Sequence, residues 1–259
     1  MTGNASREEI SYRERQVPHP VLDKYYASER DRRPFVLDLF DGAARYYDLV
    51  CALLSLGSGQ FYRRAALKRS GLCAGMALLD VAVGTGLVAR AAMDILHDPR
   101  SVIGLDPSSG MLREARKTLA IPLVLGMAEK LPFGRDRFDR LSMGYALRHV
   151  ADLGVSFREC LRVLKPGGRI LILEISRPSS RVGRFFVQIY LQKVLPPIVR
   201  ILTRSGHAQM LMTYYWDTIA ECVEPAIILE ILGTSGFGRV ERRVFGGIFS
   251  EYTGVKPAI

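Results

Sequence analysis

Cysteine, histidine and tryptophan are scarce in this sequence. Among 259 residues there are four cysteines, four histidines and one tryptophan. The cysteines, Cys51, Cys73, Cys160 and Cys222, are far apart and form no Cys-x-x-Cys pair. Because this spacing is not that of a metal site, no bound metal is expected. The cysteines are interpreted as reduced thiols of a cytoplasmic protein.

A long uninterrupted apolar run is also lacking. None reaches the ~20 residues that a membrane-spanning helix needs, so the chain is predicted not to cross a bilayer. Residues 1–34 are polar and carry charges of both signs, which excludes a signal peptide and disfavours a transit peptide. We interpret them as a polar N-terminal extension of a single domain that spans residues 35–259.

Acidic residues are fewer than basic ones, and the formal net charge is +10. A basic chain can bind nucleic acid, an anionic membrane surface or an acidic ligand. The basic residues are spread along the chain and form no block interleaved with aromatic residues, so nucleic acid is not an expected partner. An anionic membrane surface is kept as a candidate partner, and a homodimer is left open.

What the sequence does contain is an alternation of strand-like and helix-like segments. Five apolar runs typical of strands lie at 76–83, 102–105, 122–125, 140–145 and 169–175. Helical patterns precede the first run and separate most of the others. This alternation is typical of a doubly wound, mostly parallel sheet.

The alternation stops after the fifth strand. Residues 178–223 have a helical pattern, and a last helix near 226–232 precedes two strands near 239–245 and 247–252. The predicted fold is therefore Rossmann-like α/β, with seven strands and an antiparallel edge strand. The segment 178–223 is predicted to be a helical cap insertion over the carboxyl ends of the strands.

A glycine-rich turn connects the first strand to the next helix. Asp80 lies within the strand, Gly84 and Gly86 form the turn, and Asp106 ends the second strand. Glycines allow a ligand to approach the backbone, and a carboxylate such as Asp106 can accept both hydroxyls of a ribose. The same residues also fit an NAD fingerprint with Ala89 in third place, or a structural turn in which Asp106 caps a helix.

Two further features favour S-adenosylmethionine over NAD. Helices precede the first strand, and Lys165-Pro-Gly-Gly168 turns into the fifth strand in a way that methyltransferases commonly show. An NAD(P)-dependent oxidoreductase is also disfavoured because no Tyr-x-x-x-Lys or similar set for hydride transfer is convincing.

From about Phe40 to Lys256 the sequence resembles the UbiE-like ubiquinone/menaquinone biosynthesis C-methyltransferases. The matching stretches are LFDGAARYYDLV and LLSLG (39–57), LLDVAVGTG (78–86), GLDPSSGML (104–112), GMAEKLPF (126–133), FDRLSMGYALRHVADL (138–153) and RVLKPGGRILILEISRP (162–178). The resemblance implies the class I methyltransferase fold, S-adenosylmethionine as cofactor, and transfer of its methyl group to a small apolar aromatic acceptor.

The resemblance also implies roles for individual residues. The implied cofactor-binding residues are Asp80, Ala82, Gly84, Thr85, Gly86, Asp106, Met111, Met127, Ala128, Glu129 and Tyr145. Tyr47 and Arg148 would face the junction of cofactor and acceptor, where Arg148 could stabilise a phenolate. His149 is a candidate general base because imidazole titrates near neutral pH. Its alternative role is a hydrogen bond that holds the loop after the fourth strand.

The sequence departs from the family pattern at Val83, Leu87, Met127, His149 and Glu251. Leu87 and Met127 stand where carboxylates are common around the cofactor. Three alternatives therefore stay open: C-methylation of a quinone precursor, O- or N-methylation of a secondary metabolite, and cofactor binding without transfer.

The predicted cap combines basic residues with an apolar pattern. Its basic residues are Arg181, Arg184, Lys193, Arg200 and Arg204. Such a segment can lie on anionic lipid head groups, which predicts a cytoplasmic protein that is peripheral at the inner face of the membrane. The alternative is a basic lid that packs on its own domain.

Overall fold

A seven-stranded sheet forms the centre of the computed structural model, which describes residues 16–258. The strands are β1 (Leu78–Val81), β2 (Val102–Asp106), β3 (Leu123–Leu125), β4 (Phe138–Gly144), β5 (Leu164–Ile175), β6 (Gly238–Phe245) and β7 (Phe249–Val255). Their order across the sheet is β3-β2-β1-β4-β5-β7-β6. The first five strands pair in parallel, and β7 pairs antiparallel with both β5 and β6.

This topology confirms the doubly wound, mostly parallel sheet of seven strands. One detail differs from the sequence prediction, because the reversed strand does not lie at the edge. It is β7, and β6 pairs with its outer side. The strand order reverses direction between β1 and β4, and open α/β sheets bind ligands at such a switch point.

Helices cover both faces of the sheet and its carboxyl end. They are α1 (Glu29–Ala43), α2 (Tyr47–Leu54), α3 (Gly59–Arg69), α4 (Leu87–Leu96), α5 (Ser109–Thr118), α6 (Leu153–Val163), α7 (Arg181–Ile189), α8 (Leu195–Thr203), α9 (Gly206–Glu221) and α10 (Pro225–Thr234). A π-helical turn (Tyr190–Val194) joins α7 to α8. Short 3-10 turns lie at Ala44–Tyr46, Pro99–Ser101 and Leu147–His149.

Three apolar clusters form the core. One lies between the sheet and α3, α4 and α5, and a second lies between the opposite face of the sheet and α6 and α10. All four residues of β1 are buried, as is expected of a strand with helices on both faces. The third cluster joins α1 and α2 to α8 and α9, so the predicted cap packs on the helices that precede β1.

The Lys165-Pro-Gly-Gly168 stretch ends α6 at Val163, as its composition predicts. Leu164 pairs with Phe138 and Arg169 pairs with Arg140, so the four residues between them bulge out of the β4–β5 pairing. Gly167 has φ +75°, a conformation in which a side chain would be strained. The bulge therefore replaces the simple turn that the sequence suggests.

Part of the predicted N-terminal extension belongs to the folded domain. Val17, His19 and Tyr26 are buried, and Pro34 lies inside α1 rather than at a boundary. The Pro18 carbonyl accepts a 2.9 Å hydrogen bond from the Val223 amide. The rest of the extension, residues 1–15, lies outside the described part of the chain.

The helical stretch Arg181–Thr203 is long and apolar enough to span a membrane by length and composition. The sequence prediction concerns uninterrupted apolar runs, and none of that length occurs in this helix. Basic side chains interrupt the apolar run along the sequence, but the mean hydropathy of part of the helix is still high enough for a membrane-spanning segment. One side of this helix packs on the domain through Leu191, Leu195 and Val199, which are nearly or fully buried.

Candidate active site

The turn after β1 has a left-handed backbone at several positions. Ala82 has φ 55°, Gly84 has φ 57° and Gly86 has φ 92°. A Cβ built on Gly84 would have no protein atom within 4 Å, whereas one on Gly86 would lie 2.1 Å from Leu119 Cδ1. Gly84 therefore leaves room beside the backbone for a ligand, and Gly86 permits the close packing of α4 on the loop before β3.

Asp106 holds this turn to the start of α5. Its Oδ2 accepts a 2.7 Å hydrogen bond from the Gly84 amide, and its Oδ1 accepts a 2.8 Å hydrogen bond from the Ser108 amide. Burial raises the pKa of Asp106 to about 6. Ser108, not Asp106, is the N-cap of α5, since its Oγ accepts from the Met111 amide. The second lone pair of each Asp106 oxygen is left for a ligand hydroxyl.

A cavity of about 280 Å³ opens beside the turn. The predicted cofactor residues that line it are Ala82, Gly84, Asp106, Met111, Met127, Ala128, Glu129 and Tyr145, and the predicted catalytic residues that line it are Tyr47 and His149. The structure thus brings most of the predicted site together from the ends of β1, β2 and β4. We call this space the cofactor cavity.

Asp80, Thr85 and Gly86 do not line the cofactor cavity. Asp80 lies beneath the turn, where its Oδ1 accepts a 2.7 Å hydrogen bond from Ser142 Oγ. Its Oδ2 is buried without a partner among the described residues, and burial raises the pKa of Asp80 to about 7. The Thr85 hydroxyl donates to Asp48 of α2. These three residues support the turn from behind.

The residues present fit S-adenosylmethionine. Gly84 provides open space beside the backbone, Asp106 provides carboxylate oxygens for ribose hydroxyls, and Met111 and Met127 provide apolar surface for adenine. Met127 replaces the carboxylate that the resemblance leads one to expect. Glu129 also lines the cavity, and its Oε1 accepts a 2.6 Å hydrogen bond from the Ala151 amide.

One wall of the cofactor cavity was missed by sequence reasoning. It is a single face of α1, formed by Glu29, Arg32, Arg33, Val36, Leu37 and Phe40. These residues recur at intervals of three and four, which is the spacing of neighbours on one helix face. The signal was present in the sequence, but the assignment of residues 1–34 to a polar extension hid the first turns of the helix.

Two carboxylates hold this wall over the cavity. Asp41 at the end of α1 accepts from the Ser108 hydroxyl and, at 2.8 Å, from the Gly110 amide. Asp48 in α2 accepts from the Thr85 hydroxyl. Both contacts lie at the N-terminal ends of helices that follow the cofactor-binding strands, so α1 and α2 are tied directly to the turns they cover. We refer to Asp41 and Asp48 as the carboxylate clamps.

Arg148 does not face the cofactor cavity, which corrects the sequence prediction. Its side chain is 1% exposed and its Nε donates to Glu174 Oε1 at 3.0 Å. Its Nη1 donates to Thr218 Oγ1 at 2.6 Å. The guanidinium therefore joins the end of β5 to α9. Its backbone carbonyl accepts a 2.8 Å hydrogen bond from Arg32 Nη2, which ties α1 to the same loop.

His149 lies in an aromatic enclosure at the edge of the cofactor cavity. Its ring lies 5.1 Å from the Phe40 ring, edge to face, and is stacked on Tyr214 at 5.6 Å. Both ring nitrogens are buried without a hydrogen-bond partner among the described residues. Burial, and then the charge of Arg148, hold the pKa of His149 well below its usual value. The imidazole is therefore neutral at neutral pH, but it is a weaker base than the sequence suggests.

Tyr47 lines the cavity beside this enclosure. Its hydroxyl accepts a 3.0 Å hydrogen bond from the Tyr215 hydroxyl, and burial raises its pKa well above 10. Tyr47 is therefore a neutral hydroxyl that can donate to a ligand. Tyr214 and Tyr215 themselves are buried in the core of the cap.

Solved structures with a similar fold include several methyltransferases. A chain in the complex between the Haloferax volcanii Trm112 methyltransferase activator and a methyltransferase has a TM-score of 0.61 at 18% identity, covering 84% of this chain and 97% of that one. The Haemonchus contortus phosphoethanolamine N-methyltransferase 2, solved with S-adenosylhomocysteine, has a TM-score of 0.61 at 19% identity, covering 90% and 61%. The fold is thus that of the class I, S-adenosylmethionine-dependent methyltransferases.

Sequence comparison narrows the class. The profile of the ubiE/COQ5 methyltransferase family matches residues 26–256. The demethylmenaquinone methyltransferase of Mycobacterium tuberculosis is 34% identical over 234 residues, which are 89% of this chain and 96% of that protein. The same enzyme of Mycolicibacterium paratuberculosis is 32% identical over 232 residues, covering 89% and 98%. The chain belongs to the ubiE/COQ5 methyltransferase family and is an S-adenosylmethionine-dependent methyltransferase, so the NAD(P) alternative is set aside.

Proposed function

We propose that the enzyme methylates a ring carbon of a reduced quinone precursor, a hydroxylated aromatic compound with an apolar tail. The observation that carries this proposal is the aromatic end of the cofactor cavity, where Phe40, Tyr47 and the neutral His149 meet. Flat aromatic side chains suit a flat apolar acceptor. The names of the mycobacterial relatives, which are demethylmenaquinone methyltransferases, support the same acceptor class.

When bound, S-adenosylmethionine supplies a methyl group on a positively charged sulfur, which keeps the bonding electron pair as the methyl group leaves. The product gains a carbon–carbon bond and loses the hydrogen of that ring carbon as a proton. The protein contributes mainly by positioning the two reactants and excluding water. The α1 wall, held by Asp41, shields the cavity from solvent.

His149 has the properties needed to receive a hydroxyl hydrogen of the acceptor. An electron-rich ring carbon requires that a neighbouring hydroxyl donate its proton or a strong hydrogen bond. The imidazole is unprotonated, and its nitrogens have no other partner among the described residues. The side chain of Arg148 donates hydrogen bonds to Glu174 and Thr218. Arg148 would therefore affect the acceptor only indirectly, by positioning the neighbouring His149.

The cap supports a further part of the proposal, which is peripheral contact with an anionic membrane. The helix Arg181–Thr203 exposes large apolar side chains, namely Val182 (66% exposed), Phe185 (59%), Phe186 (64%), Ile201 (76%) and Leu202 (57%). Basic residues such as Arg184 and Lys193 are interleaved with them. A helix with one packed side and one apolar, basic side suits the surface of a membrane, from which an apolar acceptor would be taken. The location at the inner, cytoplasmic face stays a prediction.

Methyl transfer from isotope-labelled S-adenosylmethionine to a reduced, prenylated dihydroxynaphthalene tests the proposed reaction. Fragmentation of the product in a mass spectrometer locates the label on a ring carbon or on an oxygen. Label on carbon is the expected result. Label on oxygen, or transfer only to an amine or phenol lacking a quinol ring, would favour the secondary-metabolite alternative and overturn the proposal.

A further inference from the structure

A second cavity, of about 730 Å³, lies beyond the end of β5. It is bounded by the end of α9, the start of α10 and the β6–β7 hairpin. Ile219, Ile228 and Tyr252 line it and are each 1% exposed, so part of its wall is buried and apolar. Polar side chains, including Ser176, Arg177 and Glu224, line the rest. Nothing in the proposed transfer step uses this space. We call it the second cavity.

Glu174 gives the second cavity a buried carboxylate that has one oxygen without a hydrogen-bond partner among the described residues. The residue lines the cavity and is 2% exposed. Its Oε1 accepts from Arg148 Nε at 3.0 Å and from the Ile175 amide at 2.8 Å. Its Oε2 is buried and has no partner among residues 16–258. A buried carboxylate oxygen without a donor is costly, so this atom calls for a donor from a ligand.

The mouth of the second cavity faces the exposed cap. Arg184 lines the cavity and directly precedes Phe185 and Phe186, the exposed aromatic pair of α7. Arg242 lines the opposite side, where its Nε donates to Ser250 Oγ at 3.0 Å. The cavity thus combines buried apolar side chains, one buried hydrogen-bond acceptor and a charged mouth, where Arg177 also pairs with Glu224. These features fit an apolar aromatic ligand with a hydroxyl donor.

The two cavities lie at the ends of neighbouring strands. Gly144 of β4 pairs with Leu173 of β5, so Tyr145 and Glu174 follow at adjacent positions. Tyr145 lines the cofactor cavity and Glu174 lines the second cavity. Adjacent strands lie only ~4.8 Å apart. The cofactor cavity is also small, because a cavity for one drug-sized ligand is roughly 300–1,000 Å³. The cofactor and a whole acceptor with its apolar tail therefore do not fit in the cofactor cavity together, so part of the acceptor needs space outside it.

We propose that the second cavity is a loading site for the acceptor, in which a ring hydroxyl donates to Glu174 Oε2 before the ring reaches the cofactor. The inference rests on the proposed function, since it takes the acceptor to be a hydroxylated aromatic compound. It assigns Glu174 two roles, which are to pair with Arg148 through one oxygen and to bind the acceptor through the other.

Calorimetric titration of the full chain with reduced dihydroxynaphthalene, without S-adenosylmethionine, tests the inference. Glu174→Gln is the direct variant, but it also weakens the buried pair with Arg148. Val244→Trp is therefore the second variant, because Val244 lines the mouth and is 46% exposed, so that a larger side chain can block the cavity without entering the core. Arg243→Trp is the matched control, since successive side chains of a strand point to opposite faces and Arg243 faces away.

Val244→Trp is expected to weaken binding about tenfold or more, the equivalent of ~1.4 kcal/mol, and to raise the KM for the acceptor with kcat unchanged. Arg243→Trp should bind as the wild type does. Wild-type affinity in Val244→Trp would overturn the loading site, even if carbon methylation is observed. Binding that Val244→Trp abolishes, in a protein that methylates no quinol, would support the site and reject the proposed function. No binding to the wild type would also overturn the loading site, and the proposed reaction would still be decided by the labelled methyl transfer.

Discussion

At the residue scale, Asp80 is a buried carboxylate, and its ionisation opposes folding. Burial raises its pKa from 3.8 to about 7. Because the pKa in the folded state lies above that in the unfolded state, the contribution of this group to stability is fully present below about pH 4 and is lost as the pH rises through about 7. The structure therefore keeps a cost beneath the cofactor turn at neutral pH.

Asp80→Asn should remove that cost. Relative to the wild type, the variant's free energy of unfolding should increase from about pH 4 to about pH 8 by on the order of a few kcal/mol, since one pKa unit corresponds to about 1.4 kcal/mol. Urea unfolding of both proteins without cofactor measures the difference. Asp98→Asn is the control, because hydrogen bonding to the Arg100 amide lowers the pKa of Asp98 and gives the opposite sign. A pH-independent difference for Asp80→Asn would contradict the argument.

His149 is the other residue whose titration bears on the site. If it accepts the hydroxyl hydrogen, His149→Asn should lower kcat while the affinity for S-adenosylmethionine stays nearly constant. Since its pKa is held well below 6.5, the acidic limb of the wild-type rate profile that belongs to it should lie below pH 6.5, and the variant should lack that limb. The matched control is His97→Asn, at an exposed left-handed position after α4 that asparagine tolerates. Full activity with an unchanged profile in His149→Asn would leave the histidine a packing role.

At the element scale, hydrogen bonds to a carboxylate hold the C-terminal end of α1 over the cofactor cavity. Asp41 accepts from the Gly110 amide and the Ser108 hydroxyl at the start of α5. Asp41→Ala should therefore loosen the α1 wall, and losing such a contact at a helix start costs about 0.5–2 kcal/mol. Faster hydrogen exchange across residues 29–43 and weaker binding of S-adenosylmethionine are expected. Asp38→Ala, whose side chain is 80% exposed, is the control. Unchanged exchange in Asp41→Ala would show that the wall does not depend on the clamp.

The elements differ in how far the sequence could predict them. The strands and the helices of the α/β alternation carry strong periodic patterns and glycine turns, and α4 has the predicted bounds Leu87–Leu96. The first turns of α1 are polar, because they line a cavity instead of the core, and they were therefore assigned to an extension. The pair of Arg148 and Glu174 joins residues on different elements, and no local pattern indicates such a partner. The part of the cofactor cavity that the strand ends form was predictable, but the α1 wall and the orientation of Arg148 were not.

At the scale of the whole molecule, the cap carries several exposed apolar residues together with basic residues. Phe185, Phe186 and Ile201 are all more than half exposed, and a single apolar patch of this kind marks an interaction surface. The opposite side of the same helix is packed through Leu191 and Val199. A helix held in this way can lie along a membrane surface while the fold stays intact, whereas crossing the bilayer would require that its packed side separate from α9.

Binding to vesicles distinguishes membrane contact from an ordinary basic lid. Each basic residue near an anionic surface contributes about 1 kcal/mol, and this attraction is screened beyond a Debye length of roughly 10 Å at 0.1 M salt. We expect the protein to sediment with anionic vesicles, less with neutral ones, and markedly less at high salt. Replacing Arg184, Lys193 and Arg200 by Gln should reduce sedimentation without loss of folding.

The matched control replaces three exposed basic residues far from the cap, Arg113, Arg116 and Lys130, and so removes the same net charge. If both triple variants lose binding equally, the attraction comes from the net charge and not from the cap. If the protein sediments with neither kind of vesicle, the cap is a lid that packs only on its own domain.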